Sequence, residues 1–118
     1  MKVPVVRVSH PTPEEVYWLD LTEDVIHIST EAGDIVFQTA TEKYRLPTTL
    51  DEWACITQSH GFEKSDRTTI VNLSKMIDLN HELRIVHLEG SSEKEQKYAT
   101  VSRARWHHFV EMFKRRKR

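Results

Sequence analysis

The sequence predicts a mostly β protein of about ten short strands with one short internal helix and a C-terminal helix. Three observations predict it. Runs of β-branched and aromatic residues recur between turn formers at roughly the 8 to 12 residue spacing of sandwiches and barrels. A capping-box pattern, Thr49-Leu50-Asp51-Glu52, interrupts them with a helical period. The segment from Ser102 onward carries a helical apolar stripe on an otherwise basic stretch.

The elements follow in order. Val3 to Ser9, Glu15 to Leu21, Val25 to Thr30, Asp34 to Ala40 and Lys43 to Leu46 read as strands. Pro11 with Pro13, Thr22-Glu23-Asp24 and Glu31-Ala32-Gly33 read as the turns between them. After Thr49, the positions Leu50, Trp53, Ala54 and Thr57 follow helical spacing until Gly61 stops the segment. Strands resume at Thr69 to Leu73, Met76 to Leu79, Leu83 to Glu89 and Gln96 to Val101, with the polar residues 90 to 96 as an exposed turn. In the last helix Ser102 is placed to cap, and Trp106, Phe109, Val110 and Phe113 form the stripe. Residues 114 to 118 are expected to be a mobile basic tail.

Composition bounds the function. At 118 residues, 38% hydrophobic and 30% charged, the chain is expected to form one domain spanning 1–118 around a single core. No apolar run reaches the length of a signal-peptide core, because Pro4 and Arg7 interrupt the first one, so a soluble cytoplasmic protein without membrane contact is expected. A single cysteine, Cys55, excludes an internal disulfide and a cysteine zinc module, and its place beside Leu50 and Trp53 reads as a small buried hydrophobe. The net charge of −1 conceals a segregation. From Ser102 to Arg118 seven basic residues face a single acidic one, Glu111, which leaves ten basic against seventeen acidic residues elsewhere. A polyanion, if bound, is therefore bound on a face that includes the C-terminal segment.

Enzymatic chemistry finds no residues to run it. Of seven histidines, His10, His27, His60, His81 and His87 are scattered, and only His107 with Glu111 has helical i, i+4 spacing, short of the three protein ligands zinc normally requires. Glu14-Glu15 and Asp51-Glu52 lack surroundings that would drive two carboxyl pKa values apart. Three glycines form no phosphate-cradling loop. No metal, cofactor or small-molecule substrate is expected.

Two ordered motifs carry a resemblance. The first is Phe62, Lys64, Asp66, Arg67, Thr68, Ile70, Val71 and Asn72, and the second is Val101-Ser102-Arg103 before the last helix. With the capped helix ahead of them, they make the chain resemble the LytTR-type DNA-binding domain over roughly residues 3 to 113. Family members write the first motif Phe-x-Arg-x-His-Arg-Ser-x-(apolar)-Val-Asn. The resemblance implies small antiparallel sheets, a place at the C-terminus of bacterial response regulators or alone, and control of transcription by loops that enter successive major grooves of double-stranded DNA with repeated half-sites. A homodimer on DNA is compatible with such sites.

The resemblance also implies residue roles. Lys64 and Thr68 fall at phosphate-side positions, Arg67 at the base-reading position, and Ser102 and Arg103 in the second contact loop. The family's remaining DNA loop corresponds to Glu31, Ala32, Gly33 and Asp34, whose acidic or neutral character is poorly suited to phosphate. Arg67 supplies a planar fork matched to guanine O6 and N7, whereas Lys64 supplies charge without that geometry. Phe62, Ile70 and Val71 are expected to sit in the core and Asn72 to satisfy local backbone groups. Asp66 departs from the family's histidine, and two roles stay open: it fixes the loop through a pair with Lys64 or Arg67, or it accepts from cytosine N4. The alternative reading of the whole chain is a protein-interaction module without DNA binding, which the acidic body and Asp66 favour.

Overall fold

The computed structural model describes residues 1–9 and 15–116. The turn expected at Pro11 and Pro13, and residues Lys117 and Arg118, lie outside the described residues. The chain forms two compact units, Met1–Ile56 and Thr57–Arg118.

The first unit contains β1 (Lys2–Arg7), β2 (Tyr17–Asp20), the single helical turn α1 (Leu21–Asp24), β3 (Val25–Glu31), β4 (Asp34–Thr39), β5 (Lys43–Arg45) and α2 (Leu50–Thr57). Its five strands make one antiparallel sheet in the order β2-β1-β5-β4-β3. Register places Val5 opposite Tyr17 and Val3 opposite Leu19. Val5, Leu19 and Phe37 are thereby buried with Val3, Leu21, Val25 and Tyr44 packed around them. Asp20 ends β2 and starts α1, its Oδ1 accepting from the Thr22 and Glu23 amides. The β3–β4 connection is a two-residue turn in which Ala32 (φ 51°) and Gly33 (φ 87°) both take left-handed backbone, the geometry that matches strand twist and that glycine adopts without steric cost.

The internal helix starts where the capping box predicts. Glu52 N–H donates to Thr49 Oγ1 at 3.1 Å, and Thr49 N–H donates back to Glu52 Oε1 at 3.2 Å. Its buried face differs from the expected stripe: Glu52 and Ile56 are buried, whereas Trp53 is 41% exposed and Cys55 is exposed. The reason is Arg45, whose guanidinium donates to both Glu52 oxygens at 3.3 and 3.0 Å and holds that side of the helix inward.

The second unit contains β6 (Phe62–Asp66), β7 (Thr69–Asn72), β8 (Met76–Asn80), β9 (Ile85–Leu88), β10 (Tyr98–Thr100) and α3 (Arg103–Arg116), with 3-10 turns at Gln58–His60 and Leu73–Lys75. β6 and β7 form a hairpin, and β10, β9 and β8 form a three-stranded antiparallel sheet. Val71, Leu73, Met76, Val86, Ala99, Val101, Phe109 and Phe113 make the core, with Trp106 and Met112 partly buried against it. Phe62 and Ile70, expected in the core, are only half-buried, while Val71 is buried as expected. Asn72 Oδ1 accepts from the Ser74 amide and hydroxyl, closing the turn after β7. Residues 114 to 116, expected to belong to a mobile tail, continue α3, and Arg116 donates to the carbonyls of Leu73, at 2.9 Å, and Met76.

Candidate nucleic-acid interface

Strand structure resumes earlier than the expected Thr69: Phe62 to Asp66 is strand β6, and only Arg67 and Thr68 form the turn to β7. The hairpin is irregular at its tip. Lys64 pairs with Ile70 and Asp66 with Thr69, so Ser65 is the extra residue of a bulge. That residue is fully buried, and its carbonyl accepts from the Ser102 amide at 2.8 Å. The first motif is thus bonded through its backbone to the second.

Asp66 adds two further restraints. Its Oδ1 accepts from the Thr68 amide at 2.8 Å and the Thr68 hydroxyl at 2.9 Å, an Asx-type turn around Arg67. Its Oδ2 accepts from the Thr100 hydroxyl at 2.7 Å, across 34 residues of sequence. The Thr100 hydroxyl and the Thr68 amide outweigh partial burial and hold the carboxyl at a pKa of about 2. The hydrogen bonds that fix this turn come from Thr68 and Thr100. Nearer the start of β6, Glu63 Oε2 lies 2.5 Å from His108 Nε2 and joins the hairpin to α3.

Lys64, Asp66, Arg67, Thr68, Ser102 and Arg105 line one open cleft of ≈ 610 Å³. Five of them are residues the sequence singles out. Arg105 joins them because it is one turn into α3, with its amide bonded to the Ser102 carbonyl. Its place in the basic run was the available signal. Arg103 is exposed at the first residue of the helix. No acidic residue occupies the first turn of α3, so two arginines and the positive end of the helix dipole share one place. Such an arrangement favours an anion: helix-start amides and guanidinium groups both donate to phosphate oxygens. Gly33 and Asp34 belong to the first unit, where they form the exposed tip of the β3–β4 hairpin.

The low pKa of Asp66 has a consequence for stability. A carboxyl depressed on folding stabilises the folded state fully above its unfolded pKa, near 4, and that contribution is lost as pH falls toward 2. The melting temperatures of wild type and Asp66→Asn are expected to differ by a constant amount above about pH 5 and to converge between about pH 4 and 2. A difference that does not change with pH over that range would mean that the bonds to Thr68 and Thr100 do not favour the charged carboxylate.

A hairpin and a helix start jointly present basic and hydroxyl groups in one open cleft, a chemistry suited to a polyanion. The chain matches the LytTr DNA-binding domain over residues 15–114, and it belongs to that family, whose members are non-catalytic and bind DNA to regulate transcription. No curated protein matches the chain. No helix among the described residues is long and apolar enough to cross a membrane.

Proposed function

We propose that this chain is a bacterial, cytoplasmic transcription regulator that recognises repeated half-sites in double-stranded DNA, with the β6–β7 turn entering a major groove. Arg67 is the base reader, and its fork is suited to the O6 and N7 of guanine. Lys64, Thr68, Ser102 and Arg105 hold phosphate oxygens beside it, and Arg103 extends the contact along the duplex. The Gly33-Asp34 tip is a weaker third contact, because its carboxylate repels phosphate. Two copies binding adjacent half-sites make a homodimer on DNA. The observation that supports this reading best is the shared cleft: two motifs far apart in sequence are bonded to each other and line one basic surface.

Arg67→Ala and Arg103→Ala are each expected to weaken binding to the preferred duplex by about 1 to 3 kcal/mol with little change in melting temperature, since both side chains are exposed. Lys64→Ala is expected to weaken preferred and random duplexes alike and to lower the salt slope by about one phosphate's worth. Fluorescence anisotropy across a salt series measures all three. Unchanged binding in all of them would remove this surface from the DNA contact, and salt-independent or absent binding by wild type would favour a protein-interaction module.

A further inference from the structure

We propose that Asp66 and Thr100 form a latch that joins the two contact segments into one rigid reader, and that Thr100 is a positioning residue for base discrimination. The proposal rests on the DNA-binding reading above and goes beyond it, because Thr100 belongs to neither motif. The carboxylate is divided between two tasks. One oxygen closes the Arg67-Thr68 turn from inside, through the Thr68 amide and hydroxyl. The other ties that turn to β10 through Thr100, two residues before Ser102. The parallel bond from Ser102 N–H to the Ser65 carbonyl sits at the bulge on the same strand. Arg67 therefore projects from a turn restrained at its own backbone and at the start of α3.

Base reading and phosphate binding respond differently to such a restraint. A bidentate arginine–guanine contact demands a fixed approach, and ordering a loose residue at the moment of binding subtracts its conformational entropy from the affinity. Phosphate attraction falls off slowly and tolerates many orientations. Releasing the latch is thus expected to reduce discrimination and leave random-duplex affinity unchanged. Thr100 is the residue to change, because losing its hydroxyl leaves the charge of the interface intact, whereas Asp66→Asn alters the restraint and the electrostatic attraction to every duplex at once.

Thr100→Val keeps the size and β-branching of an exposed strand residue while removing the donor. It is expected to lower the ratio of preferred to random duplex affinity by about fivefold, the net effect of one exposed hydrogen bond. Random-duplex affinity and salt slope are expected to stay within about twofold of wild type. In DNA-free protein, amide exchange at Arg67 and Thr68 is expected to accelerate, and Thr100→Ser is expected to restore both readouts. Unaltered exchange in Thr100→Val, an equal loss on preferred and random duplexes, or failure of Thr100→Ser to restore discrimination would each overturn the latch while leaving DNA binding standing. A wild-type protein that prefers no duplex would overturn the DNA reading, and the latch with it.

Discussion

Replacing Phe109 with alanine is expected to destabilise the second unit by about 3 to 5 kcal/mol, a large part of the roughly 5 to 15 kcal/mol that holds a typical domain folded. The ring is 0% exposed and lies among Val71, Leu73, Met76, Val86, Ala99, Val101 and Phe113, which come from both sheets of the unit, from the segments joining them and from α3 itself. Its removal forfeits the transfer energy of the ring and leaves a void that strands joined by hydrogen bonds cannot close. Trp106→Ala is expected to cost less. That indole is only partly buried and meets His81 edge-on at 5.4 Å between ring centres. Urea denaturation of the two variants ranks them; a Phe109→Ala protein with the wild-type midpoint would show that α3 does not hold this core together.

Glu52→Ala is expected to cost about 3 to 5 kcal/mol through a different mechanism, the loss of a buried carboxylate from a partly buried cation. Glu52 is 3% exposed and accepts from Arg45 twice and from the amides of Thr48 and Thr49. Burial opposes its charge, yet Arg45 and the two amides prevail and hold the carboxyl below its usual range. Alanine takes this acceptor from Arg45 and from the Thr48 and Thr49 amides, leaves Arg45 only its bonds to the Leu46 carbonyl and the Thr48 hydroxyl, and removes half of the capping box. Glu52→Gln keeps the shape and an acceptor, so it is expected to lose less. Because the carboxyl is depressed on folding, its contribution persists above its unfolded pKa and fades as pH falls below it. Thermal melts at neutral pH separate the variants, and near-equal melting temperatures for wild type and Glu52→Ala would refute the structural role of the pair.

These two residues also mark how far the sequence could be read. The strands were legible because β-branched and aromatic runs alternate with turn formers, and the start of α2 was legible because Thr49 and Glu52 carry the reciprocal cap. Which side of α2 is buried was not. Local periodicity favours Leu50, Trp53, Ala54 and Thr57, but Arg45 lies seven residues before Glu52 and no short-range pattern reveals their pairing. β6 escaped for a related reason. Glu63, Lys64, Ser65 and Asp66 lack apolar alternation, and the strand exists because it pairs with β7 and buries a serine at a bulge. Arg67, Lys64 and Ser102 could be singled out by their motifs, whereas the Thr100–Asp66 bond and the seat of Arg105 in the cleft follow from tertiary structure alone. Likewise Arg116 reads as a tail residue until the carbonyls of Leu73 and Met76, about 40 residues away, are brought to it.

On the proposed function, the β6–β7 turn and the start of α3 together read duplex sequence. Selection from a randomised duplex library by wild-type protein and by Arg67→Ala, with sequencing of each bound pool, tests it most directly. The wild-type pool is expected to converge on a repeated half-site containing a G·C pair whose enrichment disappears in the Arg67→Ala pool while the rest of the site is retained. Bound pools that match the input library, or an Arg67→Ala pool with the same preference at every position as wild type, would contradict it.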